Sequence, residues 1–102
     1  MQYRVYQNLS GLQSHPWLLD VQSDIIGQLN TRLVIPLFPR DRFNGNQPVR
    51  LCPVVKIEGQ EYLVMTHQMA SVRSSMLGEE IASLAAQRDE IKAAIDFLLD
   101  GF

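Results

Sequence analysis

Apolar and polar residues alternate from the start of the chain: over residues 3–6 the order Tyr-Arg-Val-Tyr has the period of two expected of a half-buried strand. A loop over residues 8–16 follows. Residues 17–22 and 32–37 read as the next two strands, and Gly27-Gln28-Leu29-Asn30 supplies turn residues that bend the chain back between them, so a meander is the simplest pairing. Residues 38–48 hold Pro39, Asn44, Gly45, Asn46 and Pro48, a density of breakers that predicts an exposed arm of short pieces. Residues 54–57 and 62–66 then flank Glu58-Gly59-Gln60-Glu61, a glycine-containing hairpin loop, and a further short run occupies residues 69–72.

From Glu79 onward the composition turns to Ala, Leu, Glu and Gln, which are strong helix formers. Glu79 and Glu80 suit the positive end of a helix dipole, with Gly78 or Ser83 as a cap. The stripe Leu84, Ile91, Ile95, Leu98 and Phe102 covers one helical face that can pack on a sheet. Between Ala93 and Leu99 only Asp96 is polar, so Ala93, Phe97 and Leu99 leave apolar surface on the other faces. A domain this small has too little protein to bury a helix on several sides, and homodimerisation through the C-terminal helices is the economical expectation. The element order predicts a mainly β fold with a C-terminal α-helix, a small, strongly bent antiparallel sheet or barrel closed by that helix.

A length of 102 residues fits one domain spanning 1–102, and an apolar content of 46% with 20% charge excludes disorder as the main state. The formal charge of −2 provides no field toward phosphate backbones, which disfavours direct contact with nucleic acid. Cys52 is the lone cysteine, so no intramolecular disulfide forms and a reducing compartment is expected. The start MQYRVYQN lacks the basic n-region and apolar core of a secretory signal, and no window approaches a membrane span, so the expectation is a cytoplasmic protein without membrane contact.

Candidate chemistry is sparse. His15 and His67 have no Cys, His or carboxylate at ligand spacing, so neither a metal site nor a cofactor is expected; His15 reads as a solvated loop residue and His67 as a hydrogen-bonded rim residue. Ser23-Asp24, Thr66-His67 and Ser71 lack the surroundings of an activated nucleophile, and Asp24 reads as a residue that organises its turn through backbone N–H groups. Asp20 and Asp24 would share a face only on a helix, which their β-branched neighbours argue against. The expectation is a protein with no catalytic residues, not an enzyme. The enzymatic alternative is RNA cleavage, for which Arg32, Arg40, Arg42 and Arg50 are the available cations, three of them on the breaker-rich arm.

DVQSDII followed by TRLVIPL, an opening MQYRVY, a central CPVVKIEG with MTHQMASV after it, then LGEEIASL and IKAAIDFL before Gly101-Phe102, together resemble the CcdB family of bacterial toxins, which bind DNA gyrase. The resemblance covers nearly the whole chain. It implies an SH3-like barrel with a C-terminal helix, a shape shared with toxins that cut RNA. It also implies a homodimer that inserts between the arms of the gyrase A subunits and traps the enzyme on cleaved DNA. A CcdA-type antitoxin would neutralise it through a flexible segment, and the pair would repress its own operon with DNA contacts made by the antitoxin.

Carried over by position, Ile25, Ile26 and Gly101 are expected in the gyrase-binding surface, with Asp96, Asp100 and Phe102 as further candidates. Ile25, Ile26, Phe97, Leu98 and Phe102 are expected at the dimer interface, and Arg40, Arg42 and Arg50 against the antitoxin. One departure stands at the tip: the best-known family members end in Trp-Gly-Ile and this chain in Asp100-Gly101-Phe102. Loss of a central aromatic anchor costs about 2 kcal/mol or more unless another group fills its pocket, a part that Phe102 could take from one position out of register. Two alternatives to gyrase poisoning follow, a binding module that keeps the antitoxin alone and an endoribonuclease on the same scaffold.

Overall fold

The computed structural model describes residues 1–10, 15–26, 29–46 and 48–101, the side chain of Ile26 excepted. Seven strands run β1 (Arg4–Asn8), β2 (Trp17–Asp20), β3 (Thr31–Pro39), β4 (Val54–Ile57), β5 (Gln60–Val64), β6 (Ala70–Arg73) and β7 (Leu77–Ser83), and the helix α1 (Arg88–Asp100) closes the chain. They form one antiparallel sheet in the order β4-β5-β3-β2-β1-β7, with β6 paired to β3 off that path. The expected meander is therefore present as β1-β2-β3. The sheet curls because β3 serves two neighbours on one edge: Thr31 to Val34 pair with β6, while Leu37 to Pro39 pair with β5.

The main core lies inside this curl, where Val5, Leu19, Ile35, Leu37, Val64 and Ile91 are fully buried. Ile91 and Ala94 are the buried residues of α1, with Ile95 packed half-buried beside them. A smaller cluster of Cys52, Leu63 and Met65, covered by Phe38, Phe43, Leu51 and Val54, pins the arm to the outside of β5. The arm is thus the expected series of short pieces, a 3-10 turn at Arg40–Arg42 included, anchored by its aromatics while its charged residues stay exposed. Ile57 pairs with Gln60, so the β4-β5 hairpin turns on Glu58 and Gly59 alone, with φ of 53° and 82°. Positive φ at both positions is the requirement of a type I′ turn, tighter than the four-residue loop that composition suggests.

The start of the helix is corrected. Residues 79–83 belong to β7, not to a helix, and Glu80 stands opposite Tyr6 with a carboxylate held by Arg4 Nη1 at 2.9 and 3.0 Å. Helix propensity is worth tenths of a kcal/mol per residue, and an unpaired edge of β1 outweighs it. Gly78 is not a cap: a Cβ there would meet Leu9 Cδ2 at 2.9 Å and Gln7 Cβ at 3.1 Å, so its place is the close approach of β7 to β1. Ser83 does act at a helical start, its Oγ accepting the N–H of Ala85 at 3.4 Å where the 3-10 turn Ala85–Gln87 leads into α1. The dipole-favoured acids of the first turn are Asp89 and Glu90. Leu84 is buried ahead of the helix, and Leu98 is 38% exposed rather than core-facing. Leu99, at 70% exposure, and Ala93 leave the expected uncovered apolar surface on the last turns.

The I′ turn makes the first prediction. Gly59→Val forces a β-branched residue into left-handed backbone and should destabilise the protein by about 1–2 kcal/mol, read as a lower urea midpoint at unchanged slope. Gly59→Asn, which tolerates that conformation, should lose a fraction of this.

Candidate functional site

The hairpin between β2 and β3 is built on a buried charge. Asp20, the last residue of β2, is fully buried, and Arg32 on the adjacent β3 donates Nε to its Oδ2 at 2.8 Å. The guanidinium continues into the loop, with Nη2 donating to Gln22 O at 3.1 Å and to Asp24 Oδ1 at 3.3 Å. Asp20 Oδ1 accepts the Gln22 N–H at 3.0 Å, and the amino group of Met1 lies 3.2 Å from Asp20 Oδ2 and donates to the Tyr6 hydroxyl at 2.8 Å. The hydrogen bond to Asp20 holds the Arg32 pKa above its ordinary value, against the opposing pull of burial.

From this base projects the 3-10 turn Asp24–Ile26. Ile25 is 92% exposed, its N–H donating to Ser23 Oγ at 3.2 Å, and the side chain of Ile26 lies outside the described residues. Asp24 does bond a backbone N–H, as the sequence suggests, but one outside its own turn, ahead of β1: Gln2 N donates to its Oδ1 at 3.1 Å. Asp20 and Asp24 meet only through Arg32, which is thereby withdrawn from the set of cations open to a substrate.

The end of α1 forms a second surface. Asp96, Leu98, Leu99, Asp100 and Gly101 are exposed, and Gly101 closes the helix in the left-handed conformation with its N–H on Phe97 O at 2.8 Å. Phe102 lies outside the described residues. Phe97 is half-buried beneath Arg50, whose guanidinium carbon sits 4.4 Å from the ring centroid and ties the arm to the helix. The arm arginines have different partners: Arg40 reaches Glu61 on β5 at 3.1 Å, Arg50 lies over Phe97 of α1, and Arg42 is exposed at the end of the 3-10 turn that Arg40 opens.

Two features were missed from the sequence or misjudged. His15 is less solvated than expected: it is a loop residue, half-buried with its ring 5.6 Å from Phe38, and lines a cleft of about 340 Å³ together with Leu18, Val34 and Pro36. The signal was available in the unbroken apolar runs Leu18-Leu19 and Val34 to Leu37, since residues apolar on both faces of a strand need cover on both. His67, exposed, places Nδ1 3.9 Å from the buried Sγ of Cys52, whose thiol pKa is pushed up by burial. Among the described residues no group of three His, Cys, Asp or Glu gathers as a metal site, and no helix is long and apolar enough to cross a membrane.

The sequence matches the family model described as CcdB protein over residues 2–101. The chain belongs to the CcdB family. A solved structure described as an endoribonuclease in complex with its cognate antitoxin from Mycobacterial species superposes with a TM-score of 0.75 at 13% identity, covering 97% of this chain and 93% of that one. This likeness corrects the expectation of a protein that is not an enzyme: the curled sheet and terminal helix of this CcdB-family chain are also the frame of an endoribonuclease. A shared fold hosts more than one activity, and the apparent lack of catalytic motifs in a CcdB-family sequence does not exclude one.

Removal of one partner from the buried pair leaves the other charge stranded. Asp20→Ala should cost about 3–5 kcal/mol, and the double variant Asp20→Leu with Arg32→Met much less than the sum of its singles, both measured by denaturant unfolding. Cys52 gives a pH prediction. Its thiol keeps the proton in the folded state where the unfolded thiol ionises, so stability should fall as pH rises past about 8.5, the ordinary thiol value. Disulfide-exchange labelling at pH 8 should then proceed at the rate of opening, with His67→Ala leaving that rate unchanged.

Proposed function

We propose that this chain is the toxin of a toxin–antitoxin pair and that capture by a flexible, acidic antitoxin segment is its controlling interaction. The single observation that carries this reading is the family match across residues 2–101, and the superposition on a protein solved with its antitoxin supports it. The arm offers cationic contacts for an acidic segment in Arg40, Arg42 and Arg50, all exposed. A disordered segment that folds on binding can span such separated contacts.

For the target, exposure of Ile25 favours a protein partner. A β-branched side chain 92% exposed contributes almost nothing to folding, while an apolar tip on a rigid base is what a binding hot spot requires. On this reading Ile25 and Ile26, with Asp96, Asp100, Gly101 and Phe102 at the end of the helix, address the gyrase A subunit. Two copies joined through Phe97, Leu98 and the same corner would present the surface twice to a two-fold target. The fold likeness favours a second reading, cleavage of RNA on the same frame.

Expression in cells with ordinary gyrase and in cells with a toxin-resistant gyrase A subunit separates the readings. Killing in the first alone supports gyrase, killing in both with fragmented transcripts supports RNA cleavage, and no killing with antitoxin still bound identifies a binding module. Arg40→Glu combined with Arg50→Glu should weaken antitoxin capture at least tenfold by calorimetry, and failure to bind any neighbour-encoded acidic segment would end the antitoxin reading.

A further inference from the structure

Within one protomer the Ile25 corner gets its direction from polar bonds, because a side chain 92% exposed draws almost nothing from packing against its own chain. Those bonds converge on one guanidinium. Arg32 is fixed to Asp20 within the sheet and reaches out of it to Gln22 O at 3.1 Å and Asp24 Oδ1 at 3.3 Å. Gln22 is tied back to the sheet, its Oε1 accepting the Leu33 N–H at 3.1 Å, and Asp24 is tied to the start of the chain through Gln2 N at 3.1 Å. The corner is thus clamped from three sides immediately before Ile25.

Stability alone does not account for this arrangement, because a buried ion pair is commonly replaceable by well-packed apolar residues at no loss of stability. What an apolar pair cannot do is send directed donors from a strand back into the loop that precedes it. Building on the target reading given above, we propose that Arg32 and Asp24 are positioning residues, a latch that presents Ile25 to the target in one orientation. Asp24 has a side chain 52% exposed and Arg32 one only 10% exposed, so the outer half of the latch can be opened while the inner half stays closed. A corner held in one orientation binds without first losing that freedom, and the effect falls on target affinity rather than on folding.

The test compares Asp24→Ala, Arg32→Lys and Ile25→Ala in the full chain. Lysine at position 32 keeps the charge beside Asp20 but cannot bridge Gln22 O and Asp24 together. Four readouts are taken: thermal unfolding, the order parameter of the Ile25 δ1 methyl, affinity for the purified arm domain of gyrase A, and affinity for the antitoxin segment. Asp24→Ala and Arg32→Lys should retain cooperative unfolding and antitoxin affinity, lower the methyl order parameter, and weaken target binding about tenfold. An unchanged order parameter in both variants overturns the latch, as does weakened target binding with the corner still ordered, which would make Asp24 a direct contact. If Arg32→Lys does not fold, Asp24→Ala decides alone. Full target affinity in Ile25→Ala would sink the target reading, and the methyl order parameter would still decide the latch.

Discussion

β3 has to satisfy more neighbours than its length allows in a flat sheet, and the barrel results. One edge pairs with β2 from Val34 to Leu37, while the other is divided between β6 at the start and β5 at the end. The break falls where Pro36 sits, a residue with no N–H to leave unpaired, and its carbonyl accepts from Met65 N at 3.1 Å as the chain crosses over. Both surfaces considered for binding follow from that one strand. Its first half carries Arg32 and the loop corner, and its far end runs into the arm whose Arg50 lies on the helix.

Most of this frame was legible because strands announce themselves locally. The segments 17–22, 32–37 and 54–57 have the right residues for a pleated, covered surface, and the breakers after Phe38 mark the arm. Residues 79–83 were not legible for the converse reason. Their preference for helix is real, and what overrides it is a partner more than 70 residues away, with Arg4 and Glu80 facing each other across the join. Propensity could not report an edge that only the folded meander creates. The same holds for the two-residue turn at Glu58-Gly59, where the register of the flanking strands decides its length.

The candidate site was legible in its exposed part and hidden in its support. Ile25 stood out as an aliphatic residue beside turn formers, whereas Asp20 and Arg32 looked like one more acid and one more cation until adjacent strands brought them to 2.8 Å. Function divides similarly. The motifs that identify the CcdB family are mostly those that build the barrel, such as TRLVIPL on β3 and CPVVKIEG leading into β4. Motifs of that kind specify a frame, and one frame supports unlike activities, so sparse catalytic signatures were a poor basis for ruling chemistry out.

The interior and the surface obey different rules here. Among the described residues no buried side-chain nitrogen or oxygen lacks a partner, including those around the fully buried Asp20. At the end of α1 the opposite holds: Asp96 and Asp100 stand exposed near the negative end of the dipole, no basic residue occupies the last turn, and Leu99 is 70% exposed beside them. Folding selects for the first pattern and gains nothing from the second. Acid and apolar groups left uncompensated together on a capped helix end, like an isoleucine held outward on a clamped corner, are features that folding does not require, and they are the ones on which the proposed contacts with other molecules rest.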